Sequence, residues 1–232
     1  MATHLPRARA ELGDDQLAGD ATMLQADVAR HLTRSRRLGD GDEIEVFDGT
    51  GRSARAKLIV SHETVIAELL EAPTVVRLPS LVMCVAVPKG QRADWLAEKL
   101  AELGVTRWVP LVTERSVVNP GHNKLDRWRR LASAAATQSH APETLDVARP
   151  MSLADALAHV GPGAVYTTER DATVSDGATP AIHYIGPEGG WTDRELEAFA
   201  AAGCSFATLG PTILRIETAA ILAAGLVRFA GD

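Results

Sequence analysis

The spacing of hydrophobic and polar positions changes partway along the chain. In the first third, apolar residues alternate with polar ones. Ile44 and Val46 sit between Glu43 and Glu45 and the turn that follows. Ala54, Ala56, Leu58 and Val60 share one face, and Arg55 and Lys57 point to the other. A period of two, broken by Asp48-Gly49-Thr50-Gly51, predicts half-buried antiparallel strands at 43–47, 54–60 and 64–70. Ahead of them, residues 21–32 read as a helix that ends near Gly39. After two prolines, Pro73 and Pro79, the pattern lengthens. Residues 81–87 form an unbroken apolar run, the mark of a strand buried on both faces. Residues 91–103 carry Trp95, Leu96, Lys99, Leu100 and Leu103 near one helical stripe, closed by Gly104. Strand 105–112 and helix 124–138 follow, the helix with Leu125, Trp128, Leu131, Ala132 and Ala135 at helical spacing. Ser152 with Asp155, and Thr192 with Glu195, are capping signals for two more helices. Strands are expected at 164–167, 181–185 and 205–209, and a last helix at 217–229. Strands alternating with helices predict an α/β domain with a mostly parallel sheet, which the pattern alone describes as plainly doubly wound. Two domains are expected, 1–74 and 75–232.

Composition narrows the class. Aromatic residues make up 4% of the 232-residue chain, so aliphatic side chains must fill the core. The formal net charge of −6 argues against bulk phosphate binding and leaves room for a local basic patch. Cys84 and Cys204 each lie in an apolar run and read as buried free thiols of a reducing compartment. No cysteine pair has metal-ligand spacing and the seven histidines are scattered, so no metal is expected. Residues 1–10 are polar, without an apolar signal core. The apolar stretch 218–230 is short for a membrane span and contains Arg228. A cytoplasmic protein without a membrane partner is expected.

Two segments carry candidate chemistry, each just after an expected strand. The first is Ile185-Gly186-Pro187-Glu188-Gly189-Gly190-Trp191. In α/β sheets ligands bind at the carboxyl ends of strands, and glycines there let backbone amides approach a ligand. A simple tight turn is the competing reading. The second is Leu209-Gly210-Pro211-Thr212-Ile213-Leu214-Arg215-Ile216-Glu217-Thr218-Ala219-Ala220. Here Arg215 and Glu217 are charges set among apolar residues, and Glu217 is also well placed simply to favour the start of a helix.

Taken together, in this order and about twenty residues apart, the two segments resemble the signature of the ribosomal RNA small subunit methyltransferase E family of the SPOUT superfamily. Val87-Pro88-Lys89-Gly90, Ala101-Glu102-Leu103-Gly104-Val105, Pro110-Leu111-Val112-Thr113-Glu114-Arg115-Ser116, Arg127-Trp128 and Gln138-Ser139 are similar to that family too. So are His31-Leu32-x-Arg34, Gly41-Asp42 and Phe47-Asp48-Gly49. The resemblance implies a small N-terminal PUA-like β-barrel that binds RNA, a trefoil-knotted α/β domain, a homodimer, and S-adenosyl-L-methionine as cofactor. The implied reaction is methylation of uridine N3 in small-subunit ribosomal RNA near the decoding centre, in free RNA or an assembled subunit.

By that resemblance Gly186, Pro187, Gly189 and Gly190 form one wall of the cofactor site. Leu209, Gly210, Ile213, Leu214 and Thr218 form the other. Arg215 is the candidate for holding the uracil and its developing anion. Glu217 and Glu188 are candidates for taking the N3 proton, with helix-start and loop-bonding roles as the alternatives. Arg34, Arg36, Arg37, Lys89 and Arg92 are the candidate RNA contacts. The chain departs from the family pattern in three places. No arginine closely follows Gln138-Ser139, Ile216 replaces the usual threonine, and residues 1–12 match the opening strand poorly. The rival readings are a methyltransferase of the same superfamily acting on another RNA nucleotide, and a non-catalytic RNA-binding or ribosome-assembly factor.

Overall fold

The structure, a computed structural model, describes residues 8–13, 16–62, 64–168 and 181–229. The opening residues 1–7, to which the signal-peptide reading and part of the poorly matched opening strand refer, lie outside them. The chain forms two compact units. One runs as far as Leu78 and takes in Ala136–Thr144; the other comprises Pro79–Ala135 and the chain from Leu145. The return of 136–144 to the first unit has no counterpart in the single boundary expected at residue 74.

In the first unit, β1 (Arg9–Glu11), β2 (Ala21–Met23), β3 (Glu43–Phe47), β4 (Arg52–Val60), β5 (Val65–Leu69) and β6 (Thr74–Val75) make one sheet. Its order is β1-β3-β4-β5-β2, with β6 also on β4. The pairs are antiparallel except β1 with β3. The alternation in β4 is observed as expected: Ala54, Ala56 and Leu58 are buried and Arg55 and Lys57 exposed. Helix α1 (Ala26–Arg30) continues into a π-helical turn, His31–Ser35. The helix expected over 21–32 therefore starts late. Residues 21–23 pair instead with β5, Thr22 opposite Ala67. Covering the open backbone edge of β5 outweighs the slight helix preference of this short segment.

In the second unit the strands are β7 (Val82–Ala86), β8 (Arg107–Val112), β9 (Asp146–Val147), β10 (Met151–Ser152), β11 (Ala164–Tyr166), β12 (Ile182–Ile185) and β13 (Ser205–Ala207). The helices are α2 (Arg92–Glu102), α3 (His122–Ser139), α4 (Leu153–His159), α5 (Asp193–Ala201) and α6 (Ile216–Phe229). All strand pairs are parallel, in the order β10-β8-β7-β12-β11-β13, with β9 also on β8. Successive residues of β7 feed opposite faces. Met83 and Val85 pack with Leu96, Trp128 and Ala220 from α2, α3 and α6. Cys84 packs with Leu153 and Ala156 of α4 and Phe199 of α5. Helices thus cover both faces, which is why the strands read as unbroken apolar runs.

Local details correct two expectations. Trp95 is exposed, and alanines 93, 97 and 101 line the buried face of α2 instead. Cys84 is buried, but Cys204 is only half-buried. Burial pushes the Cys84 thiol up to about 12 and raises that of Cys204 as well. The Arg127-Trp128 pair has a packing role. Asp94 of α2 takes an ion pair from Arg127 at 2.8 Å and the indole N–H of Trp128 at 3.0 Å.

Candidate active site

Loops leaving the carboxyl ends of β11, β12 and β13 surround one cavity of about 340 Å³. Parallel strands align their carboxyl ends, so these three loops share one edge of the sheet. The loop after β12 supplies Gly186, Pro187, Glu188, Gly189, Gly190 and Trp191. The loop after β13 supplies Thr208, Leu209, Gly210, Pro211, Thr212, Ile213 and Leu214. Ile213, in this loop, is 85% exposed.

The glycines do different work from one another. A Cβ on Gly186 would sit 2.9 Å from Cε2 of Trp191, so its absence seats the indole. A Cβ on Gly189 would press on the Arg115 side chain at 3.2 Å. Gly190 (φ 71°) and Gly210 (φ 119°) hold left-handed backbone beside open space. Only these last two leave their α-carbons open to an approaching ligand, a narrower role than the one expected for all of these glycines.

Secondary contacts stiffen the β12 loop. Arg115, after β8, donates through Nη1 to the carbonyl oxygens of Gly189 at 2.8 Å and Trp191 at 3.2 Å. The Trp191 indole donates to the Tyr166 carbonyl at 3.0 Å and packs edge-on against Phe199. The Tyr166 hydroxyl lies 3.0 Å from Nδ1 of buried His183, and burial raises the phenol's pKa. Thr192 and Glu195 form the expected capping box of α5, and the Glu195 carboxylate also takes the amide of Glu114 at 2.9 Å.

Three candidates lie elsewhere: Arg215, Glu217 and Thr218 are not among the described residues lining the cavity. Arg215 and Thr218 are exposed at the start of α6. The Arg215 carbonyl accepts the helix's early bond from Ala219. Glu217 is buried on a different side of the helix, 3.6 Å from Nη1 of Arg92. Arg92 also faces Glu188 at 3.4 Å, so one arginine joins the two glutamates. Lys89, in the loop between β7 and α2 and three residues before Arg92, is exposed. In the first unit Arg34, Arg36 and Arg37 are exposed, with no carboxylate within 4 Å among the described residues. Arg37 adopts φ 56°, a conformation usually left to glycine. Arg115, Tyr166, Thr167 and Thr168 line the cavity without having been singled out. Arg115 is the one the sequence signals, since it directly follows a strand's carboxyl end.

Comparison with known proteins fits this geometry. Residues 76–228 match the profile of an RNA methyltransferase domain, and residues 24–70 that of an RNA methyltransferase PUA domain. The chain is thus an RNA methyltransferase by class. A ribosomal RNA small subunit methyltransferase E from Synechocystis is 34% identical over 93% of this chain and 75% of its own length. The Bacillus subtilis protein of that name is 28% identical over 89% of each chain. The crystal structure of the Neisseria gonorrhoeae ribosomal RNA small subunit methyltransferase E, bound to S-adenosyl methionine, superimposes with a TM-score of 0.85. It covers 98% of both chains at 28% identity. The chain belongs to the ribosomal RNA small subunit methyltransferase E family.

Proposed function

We propose that this protein transfers a methyl group from S-adenosyl-L-methionine to N3 of a specific uridine in 16S ribosomal RNA near the decoding centre. The observation that carries the reading is the cavity at the carboxyl edge of the sheet, walled by the two segments singled out in the sequence. Its volume of about 340 Å³ falls within the range of roughly 300–1,000 Å³ usual for small-molecule sites. Its lining suits the cofactor. Leu209, Ile213, Leu214 and Trp191 offer apolar surface, Thr167, Thr168 and Thr208 offer hydroxyls, and Glu188 and Arg115 bear opposite charges. A ligand with an aromatic base and both signs of charge matches that set.

The cofactor, when bound, supplies an electrophilic methyl group on a sulfonium. The protein must then hold the acceptor in line and deal with the proton on N3. Because N3 lies on the Watson–Crick edge, the uridine must enter unpaired or extruded. Of the two glutamates, Glu188 lines the cavity and is the proton acceptor in this reading; Glu217, buried on Arg92, is structural. Arg215 supports the anion on the base. A cation at the start of α6 opposes the helix dipole, so Arg215 is poorly explained by helix stability and well explained by an anionic ligand. Arg34, Arg36, Arg37 and Lys89 contact RNA phosphates in the same reading, and the strained Arg37 is retained for that role.

The loop after β13 is the element we assign to the trefoil knot, because it shares a cavity with the loop after β12. The protein acts as a homodimer in the cytoplasm. Leu222, Leu226 and Phe229 leave an apolar stripe along α6 for a second copy to cover. The test combines purified protein, methyl-labelled S-adenosylmethionine and small ribosomal subunits from cells lacking the endogenous enzyme. Mass spectrometry of the digested RNA should show labelled 3-methyluridine. Label on a different nucleoside would overturn the N3 assignment, and no label transfer would favour a non-catalytic factor.

A further inference from the structure

Arg92 opens α2, and its sequence setting sends it to RNA. Its donors are engaged elsewhere. Nε faces the Lys89 carbonyl oxygen at 3.4 Å, Nη2 faces Oε1 of Glu188 at 3.4 Å, and Nη1 lies 3.6 Å from Oε1 of Glu217. Lys89 belongs to the loop after β7, Glu188 to the loop after β12, and Glu217 to the start of α6 beyond β13. One guanidinium therefore joins two loops and the start of α6 at the carboxyl edge of the sheet. From this we infer that Arg92 is a positioning residue, which fixes the two walls of the cofactor cavity against each other and so sets cofactor affinity.

The two ends of the clip differ. The Glu217 side chain is 5% exposed, and its Oε2 has no hydrogen-bond partner among the described residues. A carboxylate in that position is held by the helix N-terminus and by whatever cation faces it. Among the described residues Arg92 is the cation within 4 Å. Glu188 is exposed and lines the cavity. A buried anchor thus holds an exposed loop through one planar group, whose fork geometry a lysine does not reproduce. Neither Arg92 nor Glu217 lines the cavity, so any effect they have on the ligand passes through the loops.

The inference rests on reading the cavity as the cofactor's, and the test separates the two. Full-length protein without RNA is titrated calorimetrically with S-adenosylmethionine, as wild type, Arg92→Gln, Arg92→Lys, Glu188→Gln and the Arg92→Gln/Glu188→Gln double variant. Binding of small ribosomal subunits is measured separately over a salt series. If wild type binds no cofactor, the reading of the cavity fails. If it binds, Arg92→Gln should weaken the cofactor about tenfold, as expected for a lost charge-assisted contact, with Arg92→Lys recovering only part. The double variant should be no weaker than Arg92→Gln, because both substitutions break the same clip. In turnover, KM for the cofactor should rise in Arg92→Gln by more than kcat falls, because Glu188, the proton acceptor, loses the same partner. Salt dependence of RNA binding should not change. Unchanged cofactor affinity, with a salt slope reduced by about one, would make Arg92 an RNA contact and overturn the inference. Should Arg92→Gln not fold, Arg92→Lys carries the test. It keeps a cation beside Glu217 without the planar fork, and full cofactor affinity in that variant sinks the proposal.

Discussion

Glu195 has a larger structural task than its place in a capping motif suggests. Its side chain is buried at 4% exposure, with both oxygens in use. Oε2 takes the amide of Thr192 at 2.9 Å and Oε1 takes the amide of Glu114 at 2.9 Å. The first bond starts α5. The second ties the loop after β8, which also carries Arg115, to the end of the cavity loop. Glu195→Ala removes two charge-assisted bonds worth roughly 1.5–3 kcal/mol each and leaves two partly buried amides to find water. Partial hydration of those amides places the expected loss near the lower end, about 3 kcal/mol. For a chain of this size that is a fall of about 6–12 °C in melting temperature. Glu195→Gln keeps one acceptor oxygen and should lose about half as much. Thr192→Ala, which removes only the cap, should cost about 1 kcal/mol. Urea denaturation followed by tryptophan fluorescence gives these differences. Glu195→Ala within 0.5 kcal/mol of wild type, a typical surface-site change, would refute the accounting.

Gly186→Ala drives a Cβ into the Trp191 ring, so cofactor affinity should fall about tenfold in a calorimetric titration as the loop is displaced. Leu214→Asp should abolish cofactor binding while far-ultraviolet circular dichroism stays native. Arg215→Ala should keep cofactor binding and lose most methyl transfer in a single-turnover assay. Cys84, with its thiol raised to about 12, should resist iodoacetamide at pH 8. Only the thiolate attacks, its fraction there is on the order of one in ten thousand, and reactivity rises with pH, so peptide mapping should find Cys84 alkylated only after unfolding.

Much of the fold can be read from the residues because local pattern and tertiary role agree. The alternation of Ala54, Ala56 and Leu58 with Arg55 and Lys57 names β4 and its buried face. The Thr192–Glu195 pair marks the start of α5 at its true residue. What local pattern misses depends on distant partners. Residues 21–23 become a strand because β5 offers an edge, and Arg9–Glu11 because β3 does, in parallel. The two walls of the cavity are legible as glycine-bearing loops after strands. The fates of Arg92 and Glu217 are not, since an ion pair across 125 positions leaves no periodic trace. Arg115 sits in a quoted motif, yet its grip on the Gly189 and Trp191 carbonyls is visible only in three dimensions.

The return of residues 136–144 to the first unit bears on how the chain is made. Arg9 is buried, stacked on Phe47, and its Nη1 donates to the carbonyl oxygens of Ala136 and Ala141. Glu45 pairs with both Arg9 and His140, and Glu143 takes the amide of Leu78. A nascent chain that has reached only residue 78 lacks the Ala136 and Ala141 carbonyls, His140 and Glu143, and would have to bury the Arg9 guanidinium with Glu45 as its one remaining acceptor among these. The N-terminal unit therefore cannot finish folding as it emerges. It waits while the 66 further residues 79–144 are synthesised, with the sheet's apolar face held open to solvent or to chaperones. A fragment ending at residue 78 should behave as an unfolded chain in an amide hydrogen-exchange experiment, and one ending just past residue 144 is the shortest N-terminal piece with every part of the unit present.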